Sequence, residues 1–170
     1  MGLWVQNVGV QASSVPAGVA ARAAARPDST PESMEGWTWA TWATLGGGEF
    51  LDLEELDALA AEAAREAEAP ALAYSVHDSD SVYLAGADQS GARFRLMVNP
   101  EAWEDELPPQ EVDAAAAWAC DHAPLDPSPN EIADVLGRQF VFAEDGLNVL
   151  LARMGLVPAE LAEGAQEMPG

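Results

Sequence analysis

Residues 71–98 read ALAYSVHDSDSVYLAGADQSGARFRLMV, and the spacing of their apolar positions decides the fold class. Leu72, Tyr74 and Val76 alternate with Ala71, Ala73 and Ser75. Side chains two apart share one face of a strand, so this pattern is that of a strand with a buried face. His77-Asp78-Ser79-Asp80 follows, and short polar residues of this kind suit a turn because their side chains bond nearby backbone. Val82 and Leu84 carry a second strand, and Gly86-Ala87-Asp88-Gln89-Ser90-Gly91 reads as a hairpin loop. In the third segment Phe94, Leu96 and Val98 oppose Arg93, Arg95 and Met97. Three short strands joined by turn chemistry predict a three-stranded antiparallel meander over about 71–98.

Just upstream, a helix is expected over about 52–68. Asp52 can cap it, and Glu55 three residues on completes a capping box. Leu53, Leu56, Ala60, Ala63, Ala64 and Ala67 form an apolar stripe, with Glu54, Asp57, Glu62, Glu66 and Glu68 around it and Pro70 behind. Such a stripe needs a surface to cover, and the meander supplies one. Earlier, a strand is expected over Leu3 to Val10. Ser14-Val15-Pro16 opens an Ala-rich helix holding Arg22 and Arg26, and residues 27–36 form a flexible loop. The Trp- and Thr-rich run 37–44 favours a strand with Trp37 and Trp39 on one face and Trp42 on the other.

After Asn99-Pro100, residues 101–110 read as an acidic loop around Trp103. Helices are expected at about 111–122, 129–138 and 145–154. Ser128-Pro129-Asn130-Glu131 is a helix start signal with its own capping box. Residues 158–170 read as a fraying acidic tail. The expectation is therefore one α+β domain over 1–157: an antiparallel sheet, a packed helix at about 52–68, and a C-terminal helical cluster. The buried area is expected to come from Leu, Val, Phe and Trp, since each Ala contributes little.

The charge is lopsided. The 170 residues carry a formal net charge of -22, with no Lys and seven Arg. Such a surface repels phosphate, which argues against nucleic acid and anionic membranes as partners and favours a basic protein. Ala-richness without Lys is also what a GC-rich bacterial genome encodes. Residues 1–10 lack a basic start and an apolar run, so no signal peptide is expected, and no segment has the length of a membrane span. The cytoplasm is the expected compartment. A single cysteine, Cys120, excludes an internal disulfide and a multi-cysteine zinc site.

Several short patterns invite a chemical reading. His77, Asp78 and Asp80 together offer imidazole and oxygen ligands for a divalent metal. That would suit a metal-dependent hydrolase or a small-ligand protein, no other cofactor being implied. Asp78-Ser79-Asp80-Ser81-Val82 locally resembles the nucleophile motif of haloacid dehalogenase-like phosphatases. Asp78-Ser79-Asp80 alone is similar to the Asp-x-Asp of nucleotide-sugar glycosyltransferases. Both resemblances imply a parallel α/β sheet, and the first also a basic residue facing phosphate. The antiparallel pattern and the missing Lys speak against them.

Gly46-Gly47-Gly48 before a helix would cradle phosphate against Glu49, Asp52, Glu54 and Glu55, with no cation to offset them, so a hinge or tight turn is expected there. Cys120 and His122, two apart on a helix, cannot pair locally, and Cys120 is expected as a small buried hydrophobe. The helix pair at 129–138 and 145–154 presents Glu144 and Asp145 first, which is wrong for a DNA-reading helix.

The leading expectation is a non-enzymatic protein whose acidic face binds a basic partner, in the manner of an immunity- or antitoxin-type inhibitor. The likeness is one of charge, size and layout, with no motif behind it. Its candidate contact residues are Glu54, Glu55, Asp57 and Glu62 on the helix, and Glu101, Glu104, Asp105 and Glu106 on the loop. Against both active readings stands a third, in which the acidity serves only solubility or salt adaptation.

Overall fold

The computed structural model describes residues 5–14, 16, 17, 36–43, 51–100 and 107–169. Five strands, β1 (Val5–Val10), β2 (Thr38–Ala43), β3 (Ala71–His77), β4 (Ser81–Ala87) and β5 (Arg93–Val98), form one sheet in the order β2-β1-β3-β4-β5. Every neighbouring pair is antiparallel. Four helices are present among the described residues: α1 (Leu53–Ala67), α2 (Pro109–His122), α3 (Pro129–Leu136) and α4 (Ala143–Arg153). The fold is α+β, and the expected meander is β3-β4-β5. The free edge of β3 takes β1, and β1 takes β2. The body of the helix expected after Ser14, the loop before Gly36, the Gly46–Gly48 break, the loop around Trp103 and the side chain of Trp42 lie outside the described residues.

The period-two pattern sends the two sets of side chains to different layers. On one face Leu72, Val76, Val82, Leu84, Phe94, Leu96 and Val98 join Trp37 and Trp39 in a core closed by α2, α3 and α4. On the other, Val8, Val10, Ala71, Ala73, Ala85 and Ala87 pack against Leu56, Leu59, Ala60, Ala63 and Ala64 of α1. Ala71 pairs with Ala87 and Ala73 with Ala85 across β3 and β4. A floor of methyl groups lets an Ala-faced helix settle close to the backbone. Alanine therefore carries this second core, contrary to the expectation that Leu, Val, Phe and Trp would carry it all. The α1 stripe also includes Leu59, while Leu53 and Ala67 are only half-buried at its margins.

Two glycines face aromatic rings across strands. A Cβ on Gly9 would lie 2.6 Å from the ring of Trp39, and one on Gly86 would lie 2.1 Å from Phe94. Each bare backbone position is what lets the opposed ring lie down over the sheet.

Both capping boxes form: Asp52 with Glu55 opens α1, and Ser128 with Glu131 opens α3. The edge strand β5 is covered by a carboxylate. Glu111 Oε2 accepts from the Arg95 backbone N–H at 2.8 Å, and Oε1 accepts from the Arg95 guanidinium at 2.7 and 3.0 Å. An edge N–H that would template another strand is thereby occupied.

The segment after Pro158 does not fray. It makes a 3-10 turn at Ala159–Ala162 and then runs back past α4. Glu167 bridges Phe140, the Val141 N–H donates to Gln166 O, and the Met168 N–H donates to Gln139 O. Arg138 also pairs with Glu167. Acidity suggested solvation, but main-chain pairing, which composition does not display, holds the segment. Among the described residues no helix is long and apolar enough to cross a membrane.

Candidate functional site

The 77–80 turn is the first place to look. His77 closes β3 on the same sheet face as Ala71 and Ala73. It is 7% exposed, with its ring edge-on to Tyr83 at 4.5 Å. Burial holds its imidazole below the ordinary value of 6.5. Asp78 and Asp80 are exposed. Asp78 and Ser79 adopt left-handed backbone (φ 49° and 62°), and the Asp80 N–H donates to His77 O at 2.8 Å. Asp tolerates this region better than most residues.

The inner residue of the turn is Ser79, which was not among the expected ligands. Its carbonyl accepts from the Ala143 N–H at 2.8 Å, and its hydroxyl donates to Glu144 Oε1 at 3.0 Å. Ala143 is the first residue of α4, where an N–H has no partner within the helix, so the turn acts as a cap for it. Among the described residues no group of three or more His, Cys, Asp or Glu side chains is placed to share a cation. The turn's contacts are those of a docking joint between β3-β4 and α4.

The acidic residues of α1 divide by role. Glu54 and Glu55 are exposed, and Glu55 spends one oxygen on the Asp52 N–H at 2.9 Å. Asp57 is half-buried against β5 and pairs with Arg93 at 3.2 Å. Glu62 is half-buried, while Glu66 and Glu68 are exposed. Glu101, Glu104, Asp105 and Glu106 lie outside the described residues.

Each described arginine is already within reach of a carboxylate. Arg65 meets Glu66, Arg93 meets Asp57, Arg95 meets Glu111, Arg138 meets Asp134 and Glu167, and Arg153 meets Glu131. Over the whole chain Asp and Glu outnumber Arg 29 to seven. Acids lie on both outer layers, since opposite α1 Asp113 and Asp121 are exposed on α2, Asp134 on α3 and Asp126 on the loop between them.

Cys120 is exposed rather than buried. It sits on the solvent side of α2, where its thiol donates to Asp126 Oδ1 at 2.7 Å, and that bond to a carboxylate raises its pKa. Two positions on, His122 turns the other way and meets Asp88 Oδ2 through Nε2 at 2.9 Å. Its ring lies edge-on to Trp118 at 5.0 Å. Asp88 is 34 residues distant in sequence, so no local spacing could announce this pair; it exists because the β4-β5 loop reaches the end of α2. Asp88 Oδ1 accepts from Ser90 N–H, Ser90 hydroxyl and Ala92 N–H at 2.8, 2.7 and 3.1 Å. Burial pushes the carboxyl up, but these bonds and His122 outweigh it and hold Asp88 below its usual 3.8.

Both groups should shape stability against pH. A carboxyl held low in the fold stabilises it above the unfolded value and loses that contribution as pH falls through the folded one. A histidine held low costs stability once pH drops below 6.5, where the unfolded chain takes up a proton that the folded chain refuses. Urea unfolding across pH is expected to show two acid-side losses, one beginning near 6.5 and one below 3.8. His77→Gln removes the upper loss and Asp88→Asn the lower. A curve unchanged by either substitution would refute the assignment.

Compared with protein-family models, curated proteins and solved structures, the chain matches none.

Proposed function

We propose that this chain is a non-enzymatic acidic interaction protein that binds a basic protein through the outer face of α1, as an immunity- or antitoxin-type inhibitor in a bacterial cytoplasm. The observation that carries this reading is the state of α1. Its capping box and its Ala-lined seat on the sheet hold it rigidly. Its outward side leaves Glu54, Glu55, Glu66 and Glu68 exposed, with Arg65 the only basic residue of the helix. A fixed row of carboxylates steers a cationic partner and opposes its charge, which raises association rate and selectivity more than it raises raw affinity. The acidic loop residues Glu101, Glu104, Asp105 and Glu106 belong to the same proposal on sequence grounds.

The test is calorimetric titration with a panel of basic nuclease and other toxin-type domains, at low and high salt. Affinity for a true partner is expected to fall as salt rises. Glu54→Lys with Glu66→Lys should weaken it roughly tenfold or more, the scale of close charge pairs at such interfaces. The control pair Asp113→Lys with Asp121→Lys, on α2 beyond the sheet, should change it little. Equal loss from the two pairs would mean that the charge acts only in bulk, and salt-independent binding would rule the reading out.

A further inference from the structure

A groove of about 410 Å3 crosses the helical layer between the α2–α3 connection, the outer side of α4 and the 3-10 turn at Ala159–Ala162. Leu125, Pro127, Val149, Ala152, Ala159 and Ala162 give it apolar walls. Local geometry aligns them. Val149 and Ala152 stand three apart on α4 and share a face. Ala159 and Ala162 stand three apart on a 3-10 turn, where that spacing eclipses side chains. The other two rows of that turn, carrying Glu160 and Leu161, therefore flank the groove. Two leucines are left outside the core here: Leu125 is 52% exposed and Leu161 45%. Leu125 is held in place even so, because a Cβ on Gly155 would lie 2.8 Å from it and the bare backbone after α4 gives it a seat. Exposed apolar surface with a polar rim is the mark of an interaction site.

The rim is acidic. Asp126 and Glu131 line the groove, and Glu160 and Glu163 are exposed beside it. Among the described lining residues Arg153 is the one base, and it already meets Glu131 at 3.4 Å. Hydrogen bonds from the Ser128 N–H and hydroxyl, with Arg153 close by, hold the Glu131 carboxyl below its usual 4.5, so the rim keeps its charge. An apolar strip edged with carboxylates is the complement of a helix that carries apolar residues on one face and Lys or Arg beside them. An acidic segment would meet those carboxylates and the field of a chain at -22. We propose that this groove docks a basic amphipathic helix of a partner protein, seated on Leu125 and Leu161. The site lies on the opposite side of the sheet from α1 and stands or falls apart from the α1 interaction.

The probe is a peptide of leucine and lysine, about 15 residues or roughly four helical turns long, with its leucines on one face. It is set against a scramble of the same composition. Both peptides carry the same charge, so bulk attraction to the chain is common to the two. Calorimetric titration into the full chain is expected to show the patterned peptide binding about tenfold tighter, the scale of one partly buried leucine. Its NMR shifts should centre on the methyls of Leu125, Val149 and Leu161. Leu125→Ser with Leu161→Ser removes apolar area without altering charge, at two exposed positions the fold does not need. That variant should bring the patterned peptide down to the level of the scramble. Glu54→Lys with Glu66→Lys on α1 should leave the difference between the peptides in place, which separates this groove from the α1 surface. The proposal is overturned if the two peptides bind equally, if the leucine variant leaves their difference intact, or if the shifts fall on α1. A dimer of the free chain that the leucine variant dissolves, seen by sedimentation, would give the patch to a second copy and overturn it as well.

Discussion

Trp118→Ala is expected to lower the unfolding free energy by about 3–5 kcal/mol, the cost of deleting a fully buried large aromatic. Trp118 is 1% exposed and is the largest fully buried side chain among the described residues. It projects from α2 into the face of the sheet that carries the aromatic residues. Phe94 meets it edge-on at 5.3 Å, Trp37 lies at 6.3 Å and His122 at 5.0 Å. Alanine would leave a void bounded by three rings that stand on different elements and cannot all move in to fill it. Against a typical total of about 5–15 kcal/mol, that is a large fraction.

Trp118→Phe separates packing from polarity. The Trp118 Nε1 is buried without a hydrogen-bond partner, and an orphan donor of this kind costs about 1–3 kcal/mol. Phenylalanine surrenders some ring area but also removes that donor, so its net cost should be well below that of alanine. Urea unfolding checks both: the midpoint should fall far for Ala and slightly for Phe, with an unchanged slope if only stability is altered. A small effect from Trp118→Ala would mean that the layer between α2 and the sheet collapses freely, against the packing described above.

What could be read from the chain in advance, and what could not, follows the range of the interactions. The meander, the two capping boxes and the alternation of Phe94, Leu96 and Val98 are written within a few residues, and all appear in the structure. The pairing of β1 between β2 and β3 is not local. It depends on which strand edge is free once the meander has formed, and nothing within Val5–Val10 states it. The Ala-lined core was hidden for a different reason: alanine is a weak signal of burial by area, yet it is what permits close approach.

The candidate site divides along the same line. The His77–Asp80 turn was legible from its residue types, whereas the burial of His77 on the sheet face and the exposure of Asp78 and Asp80 depend on how β3 and β4 pack. The contact of its inner serine with α4 is likewise tertiary. His122 and Cys120 could be excluded as mutual partners from helix geometry alone. Their actual partners, Asp88 and Asp126, came from loops whose positions only tertiary packing sets. Of the acidic residues, the sequence showed the number but not the distribution, and each described arginine proves to lie beside a carboxylate of the same chain.

The other large expected loss is at Asn99, where one side chain does the work of a strand. Asn99 follows β5 in left-handed backbone (φ 51°) and is 5% exposed. Its Oδ1 accepts from the Phe140 N–H at 2.9 Å, and its Nδ2 donates to the Phe140 carbonyl at 2.8 Å. The amide thus imitates a backbone pair and ties the end of the sheet to the 139–141 segment, which in turn holds Glu167 and Met168. Asn99→Ala leaves a buried donor and a buried acceptor unpaired, each costing about 1–3 kcal/mol, and adds about 1–2 kcal/mol because alanine disfavours the left-handed region. The expected total is about 3–8 kcal/mol, at or above the loss at Trp118.

Asn99→Gly loses the same bonds without the backbone penalty, so the gap between the two variants measures that penalty. Asn99→Asp is the sharper probe. Its carboxylate still accepts from the Phe140 N–H but turns a second negative oxygen toward the Phe140 carbonyl. It should be as damaging as alanine at neutral pH and should regain stability, relative to Asn99→Ala, as acid protonates it and restores a donor. Amide exchange at Phe140, Val141 and Met168 should accelerate in all three variants, because the joint that protects them opens first. If Asn99→Ala costs less than about 1 kcal/mol and exchange at Met168 is unchanged, solvent replaces the amide and the end of the sheet is held by other contacts.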